Sequence, residues 1–194
     1  LIGRSLYRAT VVATGTRAAM DAAMVWSWIF DPFYGFLRVP LKLVGLTSPN
    51  WLSDVHWVMP AVIIVAIWKG LGYDMVIFLA GLQGIPTDLY EAARVDGASG
   101  WRLFWNITFP LLSPTTFFLL VTAIISALKT FDIVAVMTGG GPMNSSNVYV
   151  HYLYQNGFRW FRAGYASALA IILFVVILAI TLVQVRLSRR WVHY

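Results

Sequence analysis

Charged side chains inside apolar stretches are the residues of this sequence best placed to do chemistry. A charge buried in hydrocarbon is costly, so such a group pairs with an opposite charge or faces a polar pathway. Lys129 and Asp132 share one helical face and can pair with each other. Contact with a passing substrate is the alternative, and we treat the whole set as candidate substrate-pathway residues: Lys69, Asp74, Lys129 and Asp132.

Several catalytic chemistries lack the residues that they need. The chain has no cysteine, which excludes disulfides, iron–sulfur clusters and thiolate zinc sites. Leucine or tryptophan precedes each lysine where a phosphate-binding loop requires glycine, so we do not expect the chain to hydrolyse ATP. No Gly-x-Ser-x-Gly elbow is present, and we expect no catalytic residue. The histidines lack partners at helical spacing, so we expect no metal site and interpret them as boundary or tail residues: His56, His151 and His193.

The composition indicates that this chain folds in lipid. Hydrophobic residues make up 59% of it, charged residues make up 11%, and the mean hydropathy is +0.73. The net charge of +6 does not form a basic stripe. Positive residues instead flank the apolar blocks, as they do when they orient membrane helices, so we expect no nucleic-acid partner. They are Arg4, Arg8, Arg186, Arg189 and Arg190.

Four apolar blocks predict an all-α fold, a polytopic bundle of transmembrane helices. The predicted spans are Ala9–Phe30, Val58–Leu82, Leu111–Met137 and Ala163–Val185. Arg17 and Asp21 interrupt the first span at i,i+4 spacing, which allows them to neutralise each other. Lysine and arginine predominate on the side of the two termini, so the positive-inside rule places both termini and the 84–110 loop in the cytoplasm.

The 84–110 loop predicts two short helices separated by a turn. The first runs through Leu89–Arg94, with Thr87 as its N-cap and Gly97 as the left-handed residue that ends it. The second helix is predicted over Trp101–Thr108. Ser99 is its N-cap, and Pro110 is the residue that stops it.

The first of these two helices has a surface suited to a protein partner. Leu89, Ala92 and Ala93 form a small apolar face, and Glu91 carries a carboxylate that suits a fixed arginine or lysine across an interface. An amphipathic connector lying on the bilayer is an equally good interpretation on physical grounds.

The spacing within this loop resembles a known family. Glu91-Ala92-Ala93, followed by Gly97, Ile107 and Pro110, resembles the Glu-Ala-Ala loop of permease subunits of binding-protein-dependent, ATP-driven (ABC-type) importers. Asp96-Gly97-Ala98 resembles the carbohydrate-uptake branch, which includes sugar and glycerol-3-phosphate permeases. Phe109 stands where the family usually has leucine. The likeness continues outside the loop, at Trp68-Lys69, at 79–86, at Phe131-Asp132 and at 138–142.

The resemblance implies the roles of two surfaces. Docking into a partner ATPase is expected of Glu91, Ala92, Ala93, Asp96, Gly97 and Ala98. Contact with a substrate-binding protein is expected of Gly139, Gly140, Gly141 and Pro142. The whole chain, 1–194, is then a single transmembrane permease domain with 84–110 as its cytoplasmic coupling loop. Such permeases usually have six spans, so we expect the N-terminal spans to be missing, and 11–23 departs from the family pattern.

The resemblance also implies partners and a function. The expected partners are cytoplasmic ATP-binding subunits, a second permease subunit, an extracytoplasmic binding protein and the inner-membrane bilayer. No cofactor is expected on this chain, because ATP and Mg belong to the partner. The expected function is non-enzymatic import of a sugar or related polyol by alternating access, with glycerol-3-phosphate or a glycerophosphodiester as the alternative cargo. An ion-coupled carrier using Lys69 and Asp74, and a non-transporting scaffold, remain as further alternatives.

Overall fold

A computed structural model describes residues 19–43, 45 and 47–188. Every regular element in these residues is helical. The α-helices are α1 (Ala19–Ile29), α2 (Arg38–Leu43), α3 (Val58–Gln83), α4 (Thr87–Val95), α5 (Gly100–Leu103), α6 (Phe109–Leu111), α7 (Ser113–Leu128), α8 (Asp132–Met137), α9 (Tyr149–Tyr154) and α10 (Ala163–Ser188). Two π-helical turns, Phe104–Thr108 and Gln155–Arg159, follow α5 and α9. This architecture confirms the predicted all-α class.

Three helical segments are long and apolar enough to cross a membrane. They are Val58–Gln83, Ser113–Met137 and Ala163–Ser188, with 26, 25 and 26 residues. A 26-residue helix extends about 39 Å, which exceeds a hydrocarbon layer of about 30 Å. These segments confirm three of the four predicted spans.

The first predicted span, Ala9–Phe30, is only partly described. Its second half forms α1, which is 11 residues long. Its first half lies outside the described residues, and so does Arg17, the predicted partner of Asp21. The pairing of these two residues therefore stays a prediction.

The third span is interrupted near its C-terminal end. Helix α7 ends at Leu128, residues 129–131 are not helical, and α8 begins at Asp132. The apolar run of the sequence continues through this point, so hydropathy alone did not indicate the break. The interruption matters because it changes which way the charged residues on either side of it face.

The chain forms two compact units. One contains the described residues up to Gly72 together with Ala127–Ile172. Its core joins α1, α3 and α8 through buried residues that include Ala23, Ala61, Val65 and Val134. Alanine at these contacts allows helix backbones to approach closely, which is how helices pack in lipid.

The other unit contains Tyr73–Ser126 together with the described residues from Leu173 onward. Within it, α3 and α7 approach closely at Gly81, where a Cβ atom would lie 2.6 Å from the Thr115 hydroxyl oxygen. A larger residue at position 81 would have to displace the Thr115 side chain, so glycine permits this close approach of α3 and α7 just before the 84–110 loop begins.

Candidate coupling surface and polar sites of the spans

Helix α4 presents the predicted coupling residues at the surface. Glu91, Ala92 and Asp96 are exposed, Ala93 is half-buried, and Leu89 is 43% exposed. The helix begins at Thr87 with Pro86 as its N-cap, so the prediction that Thr87 caps it is wrong by one residue. Proline fits there because its extended ψ of 132° leads into the helix and its missing N–H is not needed at that position.

The C-terminal end of α4 is closed by hydrogen bonds that confirm the prediction for Gly97. Gly97 has φ of +79°, its N–H donates to the Arg94 carbonyl at 3.0 Å, and the Ala98 N–H donates to the Ala93 carbonyl at 2.9 Å. These two bonds form a Schellman motif, which requires a left-handed residue at this position. The turn fixes the direction in which the chain leaves α4.

The second half of the loop differs from its prediction at Pro110. Ser99 is at the predicted N-cap position of α5, although its hydroxyl makes no capping hydrogen bond within the described part of the chain. The chain then passes through the π-helical turn into α6, and Phe109 has helical angles of −64° and −46°. Pro110 therefore does not stop the helix. It lies where i→i−5 bonding returns to i→i−4 bonding, a junction at which one backbone donor is dispensable.

One hydrogen bond ties the two halves of the loop together. The Tyr90 hydroxyl of α4 lies 3.0 Å from the Thr108 hydroxyl of the π-helical turn, and Thr108 is buried. This bond therefore joins α4 to the segment that leads into the third span. Sequence reasoning missed this pair, because 18 residues and a left-handed turn separate its members.

Two of the four candidate pathway charges meet in the structure. The Lys69 ammonium of α3 donates to an Asp132 carboxylate oxygen at 2.8 Å, and both side chains are about one-third exposed. The predicted pairing of Asp132 with Lys129 is wrong. Lys129 lies in the non-helical break and is exposed, so its i,i+3 spacing from Asp132 does not place the two on one helical face. Asp74 lies half-buried on α3.

The predicted binding-protein-facing residues form a tightly bonded turn after α8. Gly139 and Gly140 have φ of +58° and +89°. The Ser146 hydroxyl lies 2.6 Å from the Gly141 carbonyl oxygen and 2.8 Å from the Thr138 hydroxyl. This turn is therefore held by polar side chains from both of its ends.

His151 belongs to the support of that turn, and its interpretation as a boundary residue is wrong. Its side chain is buried, and its Nδ1 atom lies 2.8 Å from the Asn147 side-chain oxygen. A Cβ atom on Gly140 would lie 3.1 Å from the His151 ring. Burial, together with the positive charge of Arg159, lowers the pKa of His151 below its ordinary value. The i,i+4 spacing of Asn147 and His151 was the sequence signal that would have indicated this pair.

His56 is exposed, and His193 lies outside the described residues. Among the residues that the structure describes, no three His, Cys, Asp or Glu side chains are grouped to hold a metal ion.

Comparisons with known proteins agree with this arrangement. A family model described as the binding-protein-dependent transport system inner membrane component matches residues 11–193. The sn-glycerol-3-phosphate transport system permease protein UgpA of Agrobacterium fabrum (strain C58 / ATCC 33970) is 40% identical over 193 residues, which cover 99% of this chain and 66% of UgpA. The sulfoquinovosyl glycerol transport system permease protein SmoG of the same organism is 39% identical over 168 residues, which cover 87% of this chain and 54% of SmoG.

A solved structure is also similar. A chain of a bacterial ABC transporter involved in the import of the acidic polysaccharide alginate superposes with a TM-score of 0.87 and 29% identity. The match covers 96% of this chain and 66% of that one. A second structure of the alginate transporter, in complex with an alginate pentasaccharide-bound periplasmic protein, matches with the same TM-score of 0.87. The match to UgpA covers 66% of that protein, so this chain spans about two thirds of its length. The family model matches almost the whole length of this chain. The chain therefore belongs to the inner membrane components of binding-protein-dependent transport systems, a family of multi-pass ABC permeases.

Proposed function

We propose that this chain is the membrane-spanning permease subunit of an importer driven by ATP hydrolysis on separate subunits. The observation that carries the proposal is α4, an exposed helix with Glu91-Ala92-Ala93 on its surface and a rigid end at Gly97. A partner that moves α4 also moves the third span, because Tyr90 is bonded to Thr108. Such rigid-body movement is the basis of alternating access.

The proposed cargo is a sugar or polyol that carries an acidic group. UgpA is named for glycerol-3-phosphate, and the polysaccharide of the similar transporter is described as acidic. Lys69 lies near the middle of the second span, where a cation can meet such a group. Glycerol-3-phosphate is the first ligand to test, with a glycerophosphodiester and a neutral sugar as comparison ligands.

The proposed assembly has four kinds of partner. ATP-binding subunits carrying ATP and Mg meet α4 in the cytoplasm, and a second permease subunit completes the pathway. A substrate-binding protein meets the turn at 139–142 on the outer face of the inner membrane. Both termini of the chain are then on the cytoplasmic side, in agreement with the distribution of lysine and arginine.

Reconstitution of the complete transporter in proteoliposomes tests the cargo and the energy source together. We expect glycerol-3-phosphate, presented by the binding protein, to stimulate ATP hydrolysis and to accumulate inside. A transport rate that survives ATP depletion and collapses with an ion gradient would support the ion-coupled carrier instead. Absence of stimulation by all three ligands would support a scaffold without transport.

A charge reversal tests the role of α4. We expect Glu91→Lys to insert into the membrane normally, to abolish uptake and to weaken retention of the ATPase subunit, because the carboxylate is lost from the interface. Asp88→Lys is the matched control, since it makes the same charge change on the same helix outside the Glu-Ala-Ala motif. Equal loss of uptake in both variants would assign the effect to the helix charge and not to the motif.

A further inference from the structure

An exposed aromatic face lies on the second half of the coupling loop. Trp101, Phe104, Trp105 and Phe109 are 73%, 41%, 47% and 49% exposed. Their rings contact one another in sequence, with centroid distances of 5.9 Å between Trp101 and Trp105 and 5.2 Å between Trp105 and Phe109. Four large rings grouped at the surface form an apolar patch of a kind that marks an interaction site.

The two halves of the loop differ in charge, and this difference identifies the partner of the aromatic face. Helix α4 carries Asp88, Glu91 and Arg94. From Gly97 to Leu128 the sequence contains one charged residue, the exposed Arg102. A protein interface built by charge pairing suits α4, whereas a surface with rings and one arginine suits the boundary of a bilayer.

The position of the aromatic face along the chain agrees with that boundary. Ser113 begins the third span four residues after Phe109, a rise of about 6 Å along a helix. Indole rings favour this depth because the ring lies among acyl chains while the N–H reaches water. Arg102 is then close enough for its guanidinium to reach lipid phosphates.

We propose that Trp101, Phe104, Trp105 and Phe109 bind the inner-leaflet interface of the phospholipid bilayer and anchor the coupling loop to it. Thr108 of the same segment holds Tyr90 of α4, so lipid contact positions the coupling helix at a fixed height above the membrane. The proposal rests on the part of the proposed function that places the 84–110 loop on the cytoplasmic side of the third span, and it is independent of the cargo.

Spin labels measure this contact in the assembled transporter in nanodiscs of phosphatidylethanolamine and phosphatidylglycerol. The chain has no cysteine, so Trp101→Cys and Phe109→Cys each provide one labelling site in it, and Asp88→Cys, at an exposed residue of α4 outside the Glu-Ala-Ala motif, is the matched control. We expect the ratio of oxygen to nickel-chelate collision rates to be several-fold higher at 101 and 109 than at 88.

Two other outcomes would overturn the proposal. A collision rate at 101 and 109 that is higher for the nickel chelate than for oxygen would place these residues in water. Low rates for both reagents would show that a protein subunit covers them. Helical content by circular dichroism checks that each variant folds, and Phe104→Cys replaces a variant that does not.

Discussion

The 84–110 loop and the 138–162 loop, which we propose lie on the inner and outer faces of the membrane, use opposite designs. The inner loop exposes α4 and ends this helix by backbone geometry at Gly97, with empty space around the Cβ position of that residue. The outer loop packs Gly140 against the buried His151, and its Ser146 hydroxyl donates to the Gly141 carbonyl. The comparison teaches that the loop we propose to be moved by a partner keeps its helix accessible, whereas the loop we propose to receive a partner is built to keep its shape.

Substituting one glycine in each loop tests the difference directly. We expect Gly140→Ala to lower the free energy of unfolding by about 2–4 kcal/mol, because it combines a left-handed φ with contact against His151. Gly97→Ala has only the conformational cost, about 1–2 kcal/mol. Thermal unfolding in detergent measures both, and equal losses would contradict the contrast between a packed and an open loop.

The ion pair between Lys69 and Asp132 extends this contrast to the helix that leads into the outer loop. We expect Lys69→Met alone to lower the free energy of unfolding by about 1–3 kcal/mol, because the Asp132 carboxylate loses its partner. The double variant Lys69→Met/Asp132→Asn removes both groups, so its loss should be smaller than the sum of the two single losses. Additive losses in this cycle would mean that the two groups do not stabilise each other.

The inner loop has a weaker tie of its own. We expect Tyr90→Phe to cost about 0.5–1.5 kcal/mol, because one hydrogen bond to Thr108 is lost while the ring remains. The rate of uptake coupled to ATP hydrolysis should fall by a larger fraction than the free energy of unfolding does, because α4 then moves without the segment that follows it. Tyr73→Phe, at an exposed tyrosine of α3, serves as the control. Unchanged coupling in Tyr90→Phe would show that this bond transmits nothing.

The smallest effect concerns pH at the outer loop. His151 has a lowered pKa in the folded protein, so the unfolded chain binds a proton more readily. The contribution of neutral His151 to the free energy of unfolding is therefore fully present above a pH of about 6.5. It is lost as the pH falls toward the pKa of His151 in the folded protein. Apparent melting temperatures measured between about pH 7.5 and pH 5.5 should show this slope, and His151→Gln should flatten it. A slope that persists in His151→Gln would assign the titration to another group.

What the sequence predicted correctly was local. The three described spans follow from apolar length, and the end of α4 follows from one glycine at the correct distance. Both signals act within a few residues, so neither depends on the rest of the fold.

What it missed depends on contacts between distant segments. Asp132 pairs with Lys69, 63 residues away, because a break in the third span turns it away from Lys129. His151 is buried because Gly140 and Asn147 surround it. Pro110 failed as a stop signal because the preceding turn is π-helical, a change of register that residue types alone do not specify.

The π-helical turn at Phe104–Thr108 has a mechanical consequence. It allows one nearly continuous helical path from Gly100 to Leu128, with a single non-helical residue at Leu112. A flexible link between a surface helix and a membrane span would absorb motion as bending. Because the path is almost wholly helical, we expect a displacement at Gly100 to reach the span as rotation or tilt.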